Sequence, residues 1–358
     1  MSKTERNDAA RQYIVDRLNR ARLKNESDFE VLENYSTISS LLTDLIEVKA
    51  MGFRGVVATA LTGLHLNSSF DPLNDFYSCN PRSIFENGIF YAYEGVIPCG
   101  KSDPLNVAKN QYTLDEGWAS GKRPYKAAIA AVNYLKVIVS STSDRELLVD
   151  FYFYRLLRYA EKVRAISIEI PDSDELPQQE IAHRISEFTY RYPESGTIPQ
   201  YVVSLLLKSI YEQSCLVVEG GDESVFGTNT TSKKPADVWI EKLGQPVNLY
   251  EITVKKVDFK RLDDCLQSLN SLGMLDKNVH FICRIPEDTL SLTGYENGTF
   301  NYKGKNFNFI DLKAFILSLV SLLTTEQIKD VIEKLTSFIK AVDRPISTKD
   351  GWNSIFNL

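Results

Sequence analysis

The sequence predicts a mixed α/β protein, in which a central sheet flanked by helices follows a largely helical N-terminal region. Apolar residues recur at helical spacing through much of the first half of the chain. Short alternating or continuous apolar runs, typical of strands, are concentrated after residue 235. A chain of 358 residues that is 43% hydrophobic and 25% charged also has ample material for a core.

The first part of the chain, residues 1–195, is predicted to be mostly helical. Its helices are expected over residues 4–23, 28–49, 55–65, 127–139 and 147–165. The last of these carries leucine, phenylalanine and tyrosine on most faces, as a buried helix does. The aromatic run 151–154 is therefore expected in the core rather than as a platform for nucleic-acid bases.

Residues 66–125 differ from the helical regions around them, because asparagine, serine, glycine, proline and aromatic residues dominate and periodicity is weak. A long irregular segment inside a compact domain is uncommon and often functional. The segment and the turn that closes it are rich in lysine, arginine, asparagine and glutamine, the side chains that read base edges. We expect DNA contacts here, above all at Lys122 and Arg123. The alternative is a polar surface excursion without a ligand.

The second part, residues 196–358, is predicted to be built around a β-hairpin. The first strand follows Pro235, Gly244 allows the tight bend, and the second strand runs through Glu251. Alternation places Asp237 on the same face as Glu251, with Thr253 and Lys255 further along that face. This face is predicted to be polar, which is unusual for a plain core hairpin.

Two carboxylates on neighbouring strands suggest metal-assisted hydrolysis. Mg²⁺ prefers oxygen ligands and usually takes one or two carboxylates together with water and a substrate phosphate. We expect Asp237 and Glu251 to supply the carboxylates, and the backbone carbonyl of Ile252 to supply a third oxygen. The ion would activate a water molecule, and a lysine beside that water would stabilise the transition state.

These residues resemble the PD-(D/E)xK core of restriction endonucleases. The first motif is Pro235-Ala236-Asp237, with one residue inserted between the proline and the aspartate. The second begins at Glu251, but Thr253 stands where the family has its lysine. Lys255 is two residues further, roughly 13 Å along an extended strand from Glu251 against roughly 7 Å in the usual spacing. The resemblance implies that Lys255 or Thr253 positions the attacking water, or that a lysine from elsewhere in the chain does so.

The residues around the hairpin strengthen the resemblance. A helix is predicted over residues 258–273 and a strand over 278–285, so that hairpin, helix and strand follow in the order of the nuclease core. Lys233 and Lys234 precede the motif and are expected to contact DNA. Beyond the core we expect a hairpin around residues 297–310, two helices over 312–323 and 325–341, and an extended tail from Arg344.

Composition excludes some classes of protein. The net charge of −6 argues against a protein that simply coats nucleic acid, although basic residues can be locally concentrated. The sequence has no apolar run of membrane-spanning length and no signal peptide at its start. Five scattered cysteines, an odd number, favour a reducing cytoplasm.

The whole pattern is most similar to the type II restriction endonucleases of the SacI family. That resemblance implies Mg²⁺-dependent cleavage of both strands of double-stranded DNA at a short, palindromic sequence. It also implies a homodimer and a DNA methyltransferase in the same system. Two alternatives stay open: another DNA nuclease of the same fold, and a DNA-binding protein whose nuclease core is inactive.

Overall fold

The computed structural model describes residues 2–171, 176–221, 234–292 and 298–356. The chain divides into two compact units. The first comprises Met1–Ser167 with Ala341–Pro345, and the second comprises Ile168–Lys340 with Ile346–Leu358. The division therefore falls near residue 167 and not at residue 195, where the sequence pattern placed it.

The first unit is helical, as the sequence predicts. Its longer helices are α1 (Lys3–Arg22), α2 (Tyr35–Ile46), α3 (Gly52–Leu66), α4 (Tyr125–Ser140) and α5 (Arg145–Ala165). The aromatic run on α5 lies in the core, where Phe151 stacks on Phe29 with ring centroids 4.5 Å apart. The predicted helix over 28–49 is shorter, because Phe29–Asn34 forms turns and α2 begins only at Tyr35.

The sequence suggested that the segment 66–125 is irregular, but the structure shows that this is not so throughout. Much of it folds into short helical pieces: Phe76–Cys79, Pro81–Ile84, Phe85–Ile89, Phe90–Tyr93, Asp103–Ala108 and Glu116–Ser120. Pieces this short give no periodic signal, because one turn of helix shows only one or two core positions.

Asp103, at the start of one of these short helices, is a buried carboxyl with a raised pKa. It is 4% exposed, and its Oδ2 accepts a hydrogen bond of 2.7 Å from the Gly100 amide. Burial raises the pKa of Asp103 from 3.8 to about 6, against the lowering effects of that amide and of the Arg54 charge. The folded protein thus holds this proton to a higher pH than the unfolded chain does.

We predict that Asp103→Asn changes the pH dependence of stability. The contribution of the protonated carboxyl is fully present below about pH 3.8 and is lost as the pH rises through about 6. The unfolding free energy of the variant, relative to the parent, should therefore increase by about 2 kcal/mol between pH 4 and pH 7. Urea denaturation at both pH values measures this, with the exposed Asp8→Asn as control. A difference that does not change with pH contradicts it.

The second unit contains helices and a mixed sheet, which confirms the predicted class. Its longer helices are α6 (Gln178–Arg191), α7 (Thr197–Tyr211), α8 (Phe259–Ser271), α9 (Leu312–Ser321), α10 (Thr325–Lys340) and α11 (Ile346–Phe356). Its strands are β1 (Leu216–Gly220), β2 (Val238–Lys242), β3 (Gln245–Ile252), β4 (Asn278–Cys283), β5 (Thr299–Tyr302) and β6 (Lys305–Asp311).

The six strands lie in the order β1-β2-β3-β4-β6-β5 within the described residues. Strands β1, β2 and β3 are antiparallel neighbours, whereas β3, β4 and β6 are parallel to one another, and β5 pairs antiparallel with β6. The β2–β3 hairpin turns through Leu243 and Gly244, whose φ angles are +52° and +73°. Two successive positive φ angles favour the tight hairpin bend that the sequence predicted at Gly244.

The two faces of the sheet carry alternate residues of each strand. Leu249 and Phe281 belong to a buried cluster that includes Leu262 and Leu269 of α8, so α8 covers one face. Tyr250 points to the other face, where it stacks on His280 of β4 and on Phe315 of α9, with ring centroids 5.3 and 5.9 Å apart. The face that the sequence predicted to be polar is the one that carries Leu249, and it is covered by α8.

Helix α6 explains the displaced domain boundary. Phe188 of α6 packs edge-on against Trp352 of α11, with ring centroids 5.1 Å apart, and α6 also contacts α9. The residues after Arg344, predicted as an extended tail, form α11 instead, because the buried Trp352 and Phe356 anchor its apolar side. Local sequence cannot show which of two units a helix joins.

No helix among the described residues has the length and apolar character needed to cross a lipid bilayer.

Candidate active site

Asp237 lies immediately before β2, where its neighbours fix both its backbone and its side chain. Its carbonyl accepts a hydrogen bond of 3.1 Å from the Gly221 amide, beside the end of β1. Its Oδ2 accepts a hydrogen bond of 2.9 Å from the Ile252 amide at the end of β3. Since Val238 pairs with Tyr250 in the hairpin, Asp237 lies at the register position next to Glu251.

The Asp237 carboxyl occupies an environment that disfavours its charge. Its side chain is only partly buried by surface area, yet enough protein surrounds it that burial raises its pKa. The Ile252 amide, the charge of Arg261, a hydrogen bond from Gln200 and the charge of Lys234 act in the opposite direction and lower it. A divalent cation would offset the same cost of holding negative charge away from water.

Glu251 is buried, with 2% of its surface exposed, because α8 lies across its face of the sheet. Its Oε2 accepts a hydrogen bond of 2.7 Å from Nη2 of Arg261, on the first turn of α8. Burial works to lower the pKa of Arg261, but the charges of Glu251 and Asp237 outweigh it and raise the pKa. One guanidinium thus interacts electrostatically with both predicted metal ligands.

Ile252 contributes to the site in a way that the sequence did not indicate. It was predicted to offer its carbonyl oxygen to a metal, and its amide is what binds the Asp237 carboxylate. The Ile252 side chain is buried, with 2% of its surface exposed. Ile252 is the last residue of β3 that pairs with β4, where it lies opposite Ile282.

Thr253 and Lys255 lie beyond the end of β3, whereas the sequence pattern placed them on the strand. β3 ends at Ile252, and the Thr253 amide donates to the carbonyl of Ile282 at 3.0 Å. The buried Thr253 hydroxyl accepts a hydrogen bond of 3.0 Å from the Lys255 amide, while the Lys255 side chain is exposed. The chain turns here, and Arg284 donates to the Val254 carbonyl within the turn, so distance along an extended strand no longer describes Lys255.

The residues predicted to contact DNA fall in both units. Arg123 is exposed, and its Nη1 donates to the carbonyls of Ser120 and Lys122 at 3.2 and 2.7 Å. The Nζ of Lys122 lies 5.9 Å from the centroid of the Trp118 ring. In the second unit, Lys234 lies close enough for its charge to act on Asp237. Lys233 lies outside the described residues.

Two residues at the site escaped the sequence analysis, Gln200 and Arg261. Gln200 is in the first turn of α7 and is 8% exposed. Glu212 caps the far end of the same helix and is exposed, about 18 Å away along the axis. The one local signal for Gln200 is that it is a polar residue on the largely apolar, buried face of α7. Nothing local singles out Arg261 among the basic residues of α8.

The donor set fits Mg²⁺. Among the described residues no group of three or more histidine, cysteine, aspartate and glutamate side chains converges on one point. Two carboxylates are nevertheless what Mg²⁺ usually takes from a protein, because it keeps several waters and binds substrate phosphate. Asp237 and Glu251 supply that number of carboxylates, and one oxygen of Glu251 is paired with Arg261.

Gly220, the last residue of β1, allows the chain to pass close to Asp237. Its φ is +81°, and a Cβ atom there would lie 2.3 Å from the Asp237 carbonyl oxygen. We predict that Gly220→Ala destabilises the protein by more than about 2 kcal/mol, since strain and steric overlap add. Gly244→Ala is the matched control, because its φ is +73° and the space around it is open. Equal losses for the two variants in urea denaturation would refute this.

Comparison with models of known protein families and with curated proteins found no match for this chain.

Proposed function

We propose that the protein is a Mg²⁺-dependent type II restriction endonuclease that cleaves both strands of double-stranded DNA at a short sequence. The observation that carries the proposal is the position of Asp237 beside Glu251 at the end of a β-hairpin. The Ile252 amide holds the first carboxylate, and Arg261 interacts with both. Paired acids in this position are what the resemblance to the PD-(D/E)xK nucleases implies.

The order of the elements supports the same proposal. The hairpin of β2 and β3 is followed by α8 and then by β4, which lies parallel to β3. This is the succession of hairpin, helix and strand that the resemblance to the nuclease core predicts. Asp237 directly precedes β2 and Glu251 is the residue before the last of β3, so both acids lie at the open end of the hairpin.

In the proposed mechanism, Asp237 and Glu251 would hold the cation, with the Ile252 carbonyl as a further oxygen. When bound, Mg²⁺ would offset negative charge on the phosphodiester and lower the pKa of a water molecule. The water would lose one proton to solvent as its oxygen bonds to phosphorus, one P–O ester bond would break, and the leaving oxygen would take up one proton from solvent. The Ile252 amide and Gln200 keep the Asp237 carboxylate oriented during this step.

A restriction system supplies the proposed partners. Symmetric DNA is read by symmetric protein, so a palindromic site implies a homodimer with a two-fold axis. Such a nuclease needs a DNA methyltransferase that protects the same sequence in the host. We place both proteins in the cytoplasm, where their DNA substrate lies.

A second candidate function is DNA binding without cleavage. Two observations favour it: Thr253 occupies the position of the family's lysine, and Glu251 is buried in an ion pair with Arg261. An ion pair of this kind can have a structural role alone, because removal of one partner leaves the other charge buried and unpaired, which destabilises the fold.

Incubation with plasmid and phage DNA in the presence of Mg²⁺ separates these functions. Discrete fragments from the parent protein, absent when EDTA removes the metal, support a restriction endonuclease. Random nicking indicates another nuclease of the same fold. Intact DNA together with a shift of its mobility on a gel indicates the inactive DNA-binding protein and contradicts the proposed activity.

We predict that Lys122 and Arg123 bind DNA phosphates. Replacement of both by alanine should weaken DNA affinity uniformly across sequences and lower the slope of log affinity against log salt by about 2. Fluorescence anisotropy at several salt concentrations measures this. Lys3→Ala with Arg11→Ala, which removes the same charge from exposed positions of α1, is the control. Unchanged affinity and slope would show that this turn is only a surface excursion.

A further inference from the structure

Arg261 is held where it can reach both the buried acids and solvent. It is the third residue of α8, and its amide donates to Oδ1 of the capping Asp258 at 3.0 Å. Its guanidinium contacts Glu251 at 2.7 Å, and 41% of its side chain is exposed, against 3% for that of Glu251. The arginine therefore spans from the interior to the surface.

The two residues expected to position the attacking water are not placed to put positive charge beside the acids. Thr253 carries none, and its hydroxyl is engaged by the Lys255 amide. The Lys255 side chain is exposed beyond a turn of the chain. A guanidinium has five N–H donors in a planar fork, so Arg261 can keep one on Glu251 and present others to a phosphate.

We infer that Arg261 takes the place of the missing lysine and contacts the phosphate to be cleaved, while its bond to Glu251 orients both groups. This inference rests on the proposed function. It assigns to the first turn of α8 a catalytic cation that the motif normally carries on the strand. Contact with the phosphate oxygens would stabilise the negative charge that grows there during hydrolysis.

The test compares Arg261→Ala, Arg261→Gln and Arg261→Lys with Lys260→Ala. Lys260 is the exposed neighbour on the same turn of α8, so its removal changes the net charge equally. We expect kcat for DNA cleavage to fall about 100-fold for the alanine and glutamine variants, with partial recovery for lysine. Lys260→Ala should cleave like the parent. The glutamine variant keeps a donor for Glu251 and guards against a folding defect.

DNA binding in Ca²⁺, which holds the complex without cleavage, gives a readout independent of turnover. Loss of one phosphate contact should lower the slope of log affinity against log salt by about 1 for Arg261→Ala and leave it unchanged for Lys260→Ala. A purely structural role would not change this slope. Parent protein that leaves all DNA intact overturns both the function and this inference. Cleaving parent with an unimpaired Arg261→Ala overturns the inference alone.

Discussion

Replacement of Asp237 with asparagine is expected to reduce Mg²⁺-dependent DNA cleavage by roughly a thousand-fold while the protein stays folded. Asparagine keeps an oxygen that can accept the hydrogen bond from the Ile252 amide. It loses the charge that attracts a divalent cation. Because burial raises the pKa of the native carboxyl, the interior already disfavours its charged form, so a neutral side chain is tolerated there.

The matched control for this prediction is Glu241→Gln. Glu241 lies on β2, and its Oε1 accepts a hydrogen bond of 2.8 Å from Trp239. The variant makes the same change of charge on the strand that follows Asp237, away from the predicted metal ligands, and should cleave DNA like the parent. DNA cleavage rates of the parent and of both variants, measured at several Mg²⁺ concentrations, test this prediction. An Asp237→Asn protein with parental cleavage would remove the acid pair from the mechanism.

The largest loss of stability is expected from Phe281→Ala, in the middle of the sheet. Phe281 is fully buried on β4, and its ring stacks on Phe309 and packs edge-on against Phe307. Truncation leaves a cavity beneath α8, where the neighbouring strands restrict collapse. A loss of about 3–5 kcal/mol in the free energy of unfolding follows from such large-to-small changes.

Phe259→Ala provides the comparison for this core substitution. Phe259 begins α8 and is 42% exposed, so its truncation should cost less than about 1.5 kcal/mol. Urea denaturation followed by tryptophan fluorescence suits both variants, since Trp239 packs against the same cluster. Similar losses for the two phenylalanines would mean that the core relaxes around the missing ring.

The elements around the hairpin could be predicted from sequence because their signals are local. Gly244 marks the turn, Asp258 caps α8, and the apolar spacing of α8 identifies its buried side. β1 was not predicted, because five residues, Leu216–Gly220, carry too little alternation to be distinguished from a loop. α11 was missed for a similar reason, since its anchors are buried only by contacts with distant helices.

The candidate site was predictable in its acids but not in its surroundings. Asp237 and Glu251 belong to two short motifs on the two strands of one hairpin, and the pairing of these strands brings them together. The partner of Glu251 depends instead on how α8 lies across the sheet, and its ten-residue separation from Arg261 carries no signal. The end of β3 at Ile252 is likewise fixed by Arg284, which binds the following turn from beyond β4.

The close passage of the chain at Gly220 and Gly221 has a consequence for mutational surveys. A Cβ atom at Gly221 would lie 2.2 Å from the Ser204 Cβ, so neither glycine accepts a side chain without displacement of its neighbours. A saturation survey scored by enzymatic output would rank these two positions beside the acids, although they have no chemistry of their own. Paired scoring of protein abundance and of DNA cleavage would distinguish residues needed for close packing of the backbone from residues needed for the proposed cleavage.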